Sequence, residues 1–175
     1  MRIAVVYESM FGNTKTIGEA IAEGMSGIGE VVVAAVDDLP PEEVREAKLI
    51  VAGGPTQNRG MAKPDAHQSL ANKRSLGKYG AVLPGRESLH DWLERLPPGS
   101  VVAAAFDTRF DKPTWLTGSA AKEIARRLDS KGYEVVDARS FFVRATGGPL
   151  ADGERERAVA WGRELAANVK RSSAA

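Results

Sequence analysis

A chain of 175 residues, 43% hydrophobic and 27% charged, has the size and balance of one globular domain with its own core. It contains no cysteine, which excludes disulfides, cysteine-ligated iron–sulfur clusters and thiol catalysis. Its net charge of +1, from 24 basic and 23 acidic residues, is not the footprint of a general nucleic-acid binder. In chain order, Ile3 to Tyr7 is β-branched and aromatic enough for a buried strand. From Thr14, the residues Ile17, Ala20, Ile21 and Met25 recur at helical spacing. Glu30–Val36 is a second strand, closed by Asp37-Asp38-Leu39-Pro40-Pro41, and Glu42–Arg45 makes only a short helical turn. Ala47–Ala52 is a third strand, ending in Gly53-Gly54-Pro55.

Further on, His90, Trp92, Leu93 and Leu96 mark a helix stopped by Pro97-Pro98-Gly99. Val101–Phe106 is a fourth strand and a fifth begins near Tyr133. Between them Ala120, Ile124, Ala125 and Leu128 form a helix ending at Gly132, and Ala158, Trp161, Leu165 and Val169 form the last one. Strands alternating with helices predict an α/β fold, a doubly wound five-stranded parallel sheet with helices on both faces. One domain over residues 1–170 with a frayed tail at 171–175 is expected, with no repeat or long linker. The longest apolar runs, Val31–Val36 and Val101–Phe106, are too short to cross a bilayer. The first strand starts by residue 3 with no leader, so a cytoplasmic protein is expected.

Ligands of open parallel sheets sit beyond the carboxyl ends of the strands. After the first strand, Ser9-Met10-Phe11-Gly12-Asn13-Thr14 places backbone N–H groups, two hydroxyls and an amide at a helix N-terminus, which favours an anion. The same residues also serve as an ordinary helix cap. No Gly-Lys-Ser/Thr follows and there is no G-x-G-x-x-G, so a terminal monophosphate suits the loop better than a bridging pyrophosphate. After the third strand comes Pro55-Thr56-Gln57-Asn58-Arg59-Gly60, a stiff exit followed by a glycine that permits positive φ or a peptide flip. After the fourth, Asp107-Thr108-Arg109-Phe110 opens a loop running to Trp115.

The run Ser-Met-x-Gly-Asn-Thr at 9–14 and the run Pro-Thr-x-Asn at 55–58 resemble the flavodoxin superfamily, and in particular the flavodoxin modules of A-type flavoproteins. The resemblance implies strand order 2-1-3-4-5 and FMN at the switch point between the first and third strands. It implies a phosphate cradle from Ser9, Met10, Phe11, Gly12, Asn13 and Thr14. One edge of the flavin ring would meet Pro55, Thr56, Gln57, Asn58, Arg59 and Gly60, and a second wall would come from Asp107, Thr108, Arg109 and Phe110. Phe110 and Trp115 are the candidates for ring stacking, and Arg109 for a donor to the pyrimidine carbonyls or a stacking cation. The implied function is a one-electron carrier between a reductase and an acceptor, a redox partner protein or small molecule. The alternatives are an FMN-dependent NAD(P)H:quinone-type oxidoreductase and a cofactor-free regulatory or binding module of the same fold.

This chain also departs from the classical pattern. Phe11 stands where short-chain flavodoxins often carry a third hydroxyl, Met61 is the only bulky apolar residue near the third-strand loop, and the Asp-rich fourth-strand loop is missing. An open flavin face would favour a second molecule. Between Arg59 and Arg86 the chain also holds Lys63, Lys73, Arg74 and Lys78 against the single acid Asp65. That segment is a solvated basic face or, beside a flavin, a positive rim that attracts anions and raises the midpoint potential. His67 and His90 lack metal-ligand spacing, and Ser9 has no histidine partner for a triad, so neither a metal site nor a hydrolase is expected.

Overall fold

Alternate residues of the first strand are buried on opposite sides, which makes it the middle of a sheet covered on both faces. The computed structural model describes residues 1–66 and 86–174. Its strands are β1 (Arg2–Tyr7), β2 (Glu30–Ala35), β3 (Leu49–Gln57), a two-residue β4 (Gly60–Met61), β5 (Val102–Phe110) and β6 (Glu134–Val143). Its helices are α1 (Asn13–Gly24), α2 (Leu89–Arg95), α3 (Thr114–Thr117), α4 (Ala120–Ser130) and α5 (Glu154–Ala174), with a 3-10 turn over Pro41–Glu46. The parallel strands run β2-β1-β3-β5-β6, which is the expected order for five strands. The antiparallel β4 was not expected; it folds back on β3 through Thr56↔Met61 and Gln57↔Gly60.

Ala4, Val6, Ile50 and Ala52 meet Trp92, Leu93, Ile124 and Leu128 on one face. Ile3, Val5, Leu49 and Val51 meet Ile17, Ile21, Met25, Trp161 and Leu165 on the other. There α1 and α5 approach closely, because a Cβ on Gly24 would lie 2.1 Å from the Val159 carbonyl and one on Gly162 would lie 2.1 Å from that of Ile21. The last helix continues through Lys170 to Ala174, where the sequence pointed to a tail. Among the described residues no helix is long and apolar enough to cross a membrane.

Two strands outrun their expected ends. The third was expected to stop at Ala52 and the fourth at Phe106; β3 reaches Gln57 and β5 reaches Phe110. Pairing explains both, since Gly54↔Asp107 and Pro55↔Thr108 prolong the β3–β5 ladder and β6 continues to Phe110↔Val143. Pro55 is tolerated because of its register. The Gly53 carbonyl faces β1, accepting from the Glu8 N–H at 2.9 Å, and the residue two further on faces the same way, past the end of β1 at Tyr7. Its missing donor therefore breaks no ladder bond. Residues 107–110 are thus strand rather than loop, with Asp107 buried and the chain growing more exposed toward Phe110.

Candidate functional site

The chain leaves β1 through Glu8–Phe11 and enters α1 at Gly12, whose φ of 93° makes it the N-cap. Ser9 Oγ, buried inside this turn, accepts from the amides of Gly12 at 3.1 Å and Lys15 at 3.2 Å. The Thr16 N–H turns back to the Gly12 carbonyl at 2.9 Å. The amides of Asn13 and Thr14 therefore remain without an acceptor among the described residues, on the electropositive end of a twelve-residue helix. Thr14 Oγ1 lies 2.8 Å from Thr108 Oγ1, which ties α1 to β5. Met10 turns its side chain inward, where its sulfur receives the Gln57 side-chain amide at 2.8 Å. Expected as part of the cradle, Met10 has only its backbone to offer there.

Loop 3 is a hairpin. Asn58 (φ 46°) and Arg59 (φ 74°) are consecutive left-handed residues between the paired Gln57 and Gly60, the arrangement of a two-residue type I′ turn. The positive φ expected at Gly60 is thus carried by its two neighbours. Gly60 is required for another reason, since a Cβ there would lie 2.6 Å from Glu123 Oε2. That same oxygen accepts the Met61 N–H at 2.9 Å, so a carboxylate on α4 sets the height of the hairpin. Thr56 is fixed from both sides, donating to Asp107 Oδ2 at 2.9 Å and accepting from the Ala120 N–H at 2.8 Å.

Asp107 is fully buried, and its Oδ2 also accepts from Ser119 Oγ at 2.7 Å and the Ala121 N–H at 2.9 Å. It anchors Thr56 to the start of α4 and does not line the cleft as the sequence expectation had it; Oδ1 has no partner among the described residues. Arg109 is also committed to the protein. Its Nε donates to Ser140 Oγ at 2.9 Å, and its Nη1 reaches the carbonyls of Phe110 (3.1 Å) and Lys112 (2.6 Å) and Thr117 Oγ1 (3.1 Å). Its guanidinium carbon lies 5.2 Å from the centre of the Phe142 ring.

These elements enclose a cleft of about 600 Å³, within the range of cofactor sites. Phe11 and Asn13 stand at one end; Pro55, Thr56, Gln57, Asn58 and Met61 form one side, and Thr108, Arg109 and Phe110 another. Ser9, Met10, Gly12, Thr14, Arg59, Gly60 and Asp107 do not line it. Nor does Trp115, which was expected as a candidate for ring stacking and is 79% exposed. Lys63, Asp65 and Ala66 stand at the mouth. Of the expected basic segment, Lys73, Arg74 and Lys78 lie outside the described residues, as does His67; Arg86 sits apart from the cleft, its N–H on Asp37. His90 contacts Asp91 on α2, away from the cleft.

A third wall escaped the sequence reading. Val143, at the end of β6, and Ala145, Thr146 and Gly147 after it also line the cleft. A Cβ on Gly148 would lie 2.8 Å from the Asn13 side-chain amide, which shows how closely this segment covers the first loop. The signal was present: Gly147-Gly148-Pro149 follows the fifth parallel strand and repeats the Gly53-Gly54-Pro55 run of the third, and the rule that ligands gather at carboxyl ends applies equally to both.

Sheet order, helices on both faces and a cleft at the switch between β1 and β3 define the flavodoxin-like class of doubly wound folds. The Flavodoxin family model matches residues 5–82, a segment that contains both loop 1 and loop 3. Among solved structures, a flavodoxin from the domain Archaea superposes with a TM-score of 0.67 at 23% identity, covering 97% of this chain and 99% of that one. Oxidised Flavodoxin 1 from Bacillus cereus gives 0.66 at 19% identity, covering 94% and 97%. The flavodiiron protein from Giardia intestinalis gives 0.63 at 18%, with 97% of this chain matching 36% of that protein. The structural likeness is one of fold. The sequence similarity to the Flavodoxin family model spans loops 1 and 3.

Proposed function

We propose that the cleft binds FMN and that the protein is a one-electron carrier. One observation carries this reading: an open cleft runs from Phe11 and Asn13, at the start of α1 where backbone amides lack acceptors among the described residues, to the loop-3 hairpin and Phe110. The amides of α1 would hold the dianionic phosphate at the helix N-terminus, with the Asn13 side chain beside it. Pro55, Thr56, Gln57 and Asn58 would face one edge of the ring and Thr108 and Phe110 the other. Phe11 and Phe110 offer the cleft's flat apolar surfaces, which suit a planar ring. When bound, FMN supplies redox chemistry in one- or two-electron steps.

The chain's own part is to bind, orient and limit solvent. Asp107 fixes Thr56 and Glu123 fixes Met61, so the ring-edge hairpin is held before any ligand arrives. The peptides of the Asn58–Arg59 turn would supply the hydrogen-bonding edge. The cofactor-free alternative draws support from Ser9 Oγ, which already satisfies two loop amides by itself. The test is the visible absorption of the purified protein and calorimetry of the apoprotein with FMN. The proposal expects bound flavin that is released as FMN on denaturation, and two resolved one-electron steps on redox titration. A colourless protein that takes up no FMN would overturn it. Rapid NAD(P)H oxidation with a quinone acceptor would replace the carrier by the reductase.

A further inference from the structure

Among the described residues, exposed large apolar side chains gather at the end of β5 and on α3. Among the described residues, Phe110 (38% exposed), Trp115 (79%) and Leu116 (43%) are three of the five exposed large hydrophobic residues, the others being Met1 and Val136. The three are held as one surface. Arg109 Nη1 binds the carbonyls of Phe110 and Lys112 and the hydroxyl of Thr117, which fixes the end of β5, the turn after it and α3 to one another. The hairpin joins them from the other side, through a bridge between Arg59 and Gly118. Phe110 also lines the cleft, so the apolar surface begins at its mouth.

The charge around this surface has one sign in excess. Arg59, Lys63, Arg109 and Lys112 form no ion pair among the described residues, and the nearby acids are Asp65, Asp111 and Glu123, the last of which is paired with Arg127. Arg109 is satisfied by carbonyls and hydroxyls, which leave its charge uncompensated. Tryptophan and arginine on an exposed apolar centre with a charged rim are what protein interfaces use. A second copy of this chain would set these cations against themselves. An acidic partner would not.

We propose that Phe110, Trp115 and Leu116, with the cationic rim of Arg59, Lys63, Arg109 and Lys112, form the docking surface for an acidic electron-transfer protein, seated over the mouth of the cleft. The surface follows from geometry and charge; that its partner is a redox protein rests on the FMN reading above. Charge complementarity of this kind acts mainly through the encounter rate and orientation, and it weakens as salt rises.

The test is a titration of the isotopically labelled protein, with and without FMN, followed by the NMR shifts of its amides. The probes are an acidic plant-type ferredoxin and, for comparison, a basic cytochrome c. The proposal expects the ferredoxin to perturb the amides of residues 110–118 and the hairpin, with affinity falling about tenfold between low and physiological salt. Trp115→Ser and Lys112→Glu should each weaken it about fivefold or more with FMN uptake unchanged, since neither side chain lines the cleft. Perturbation elsewhere, preference for the cytochrome, binding by neither probe, indifference to Trp115→Ser, or shifts that follow the protein's own concentration would each overturn it. FMN uptake without ferredoxin binding sinks the surface alone; ferredoxin binding without FMN uptake sinks the cofactor reading alone.

Discussion

Asp107 is the sharpest test of how the site is held. Its carboxylate is fully buried, and one oxygen accepts from Thr56 Oγ1, Ser119 Oγ and the Ala121 N–H at 2.7 to 2.9 Å. In Asp107→Ala all three donors lose a charged acceptor inside the protein. Hydrogen bonds to charged groups contribute about 1.5–3 kcal/mol each, and the two hydroxyls can rotate to recover part of that. The expected cost is about 3–5 kcal/mol. Asp107→Asn keeps an acceptor oxygen in place but loses the charge and adds buried donors where Oδ1 lacked a partner, for about 2 kcal/mol. Urea unfolding reads both: with a slope of about 2 kcal/mol per M, the alanine variant should unfold about 2 M earlier and the asparagine variant about 1 M earlier. FMN affinity should fall in the same order, because Thr56 is released from α4. An alanine variant within 1 kcal/mol of the wild type would refute the anchoring role, as would an asparagine variant that costs more.

The hairpin gives a second prediction. Glu123→Ala removes the acceptor of the Met61 N–H, so hydrogen exchange at Met61 should accelerate about tenfold while global stability falls by only about 1–2 kcal/mol. Gly53→Ala places a methyl 2.2 Å from the buried Phe106 ring; overpacking of about 2–3 kcal/mol should lower the melting temperature by about 5–10 °C, and an unchanged melt would contradict the packing. Tyr7 and Tyr133 are both raised above the ordinary tyrosine value, chiefly by burial, with Glu19 and Asp38 adding to the effect at Tyr7. A raised value in the folded state means that the unfolded chain ionises first. Stability should be intact below about pH 10 and fall as pH rises above it, seen as alkaline unfolding by circular dichroism alongside delayed phenolate absorption.

Much of the fold was legible because its signals are local. The alternation in β1 and the helical spacing of Ile17, Ile21 and Met25 follow from two-sided burial. Strand ends were less legible, because β3 and β5 are prolonged by pairing with each other, a non-local fact that Pro55 disguises as a break. The same limit moved Asp107 from the cleft wall into the interior. Where a strand side chain points depends on register, and a run read as a loop has none. The hairpin shows the opposite case: Asn58 and Arg59 flanked by Gln57 and Gly60 gave a weak turn signal, and the glycine drew attention that belonged to its neighbours. Trp115 looked like a stacking residue because aromatic type alone does not distinguish a wall from an exterior surface.

In the proposed complex the first turn of α1 holds the phosphate of FMN. Parallel titrations of the apoprotein with FMN and with riboflavin isolate that contact, since the two ligands share a ring and differ only in the phosphate. Charge-assisted bonds from open amides at a helix N-terminus predict that FMN binds at least about a hundredfold more tightly. Equal affinities, or no binding by either, would contradict it.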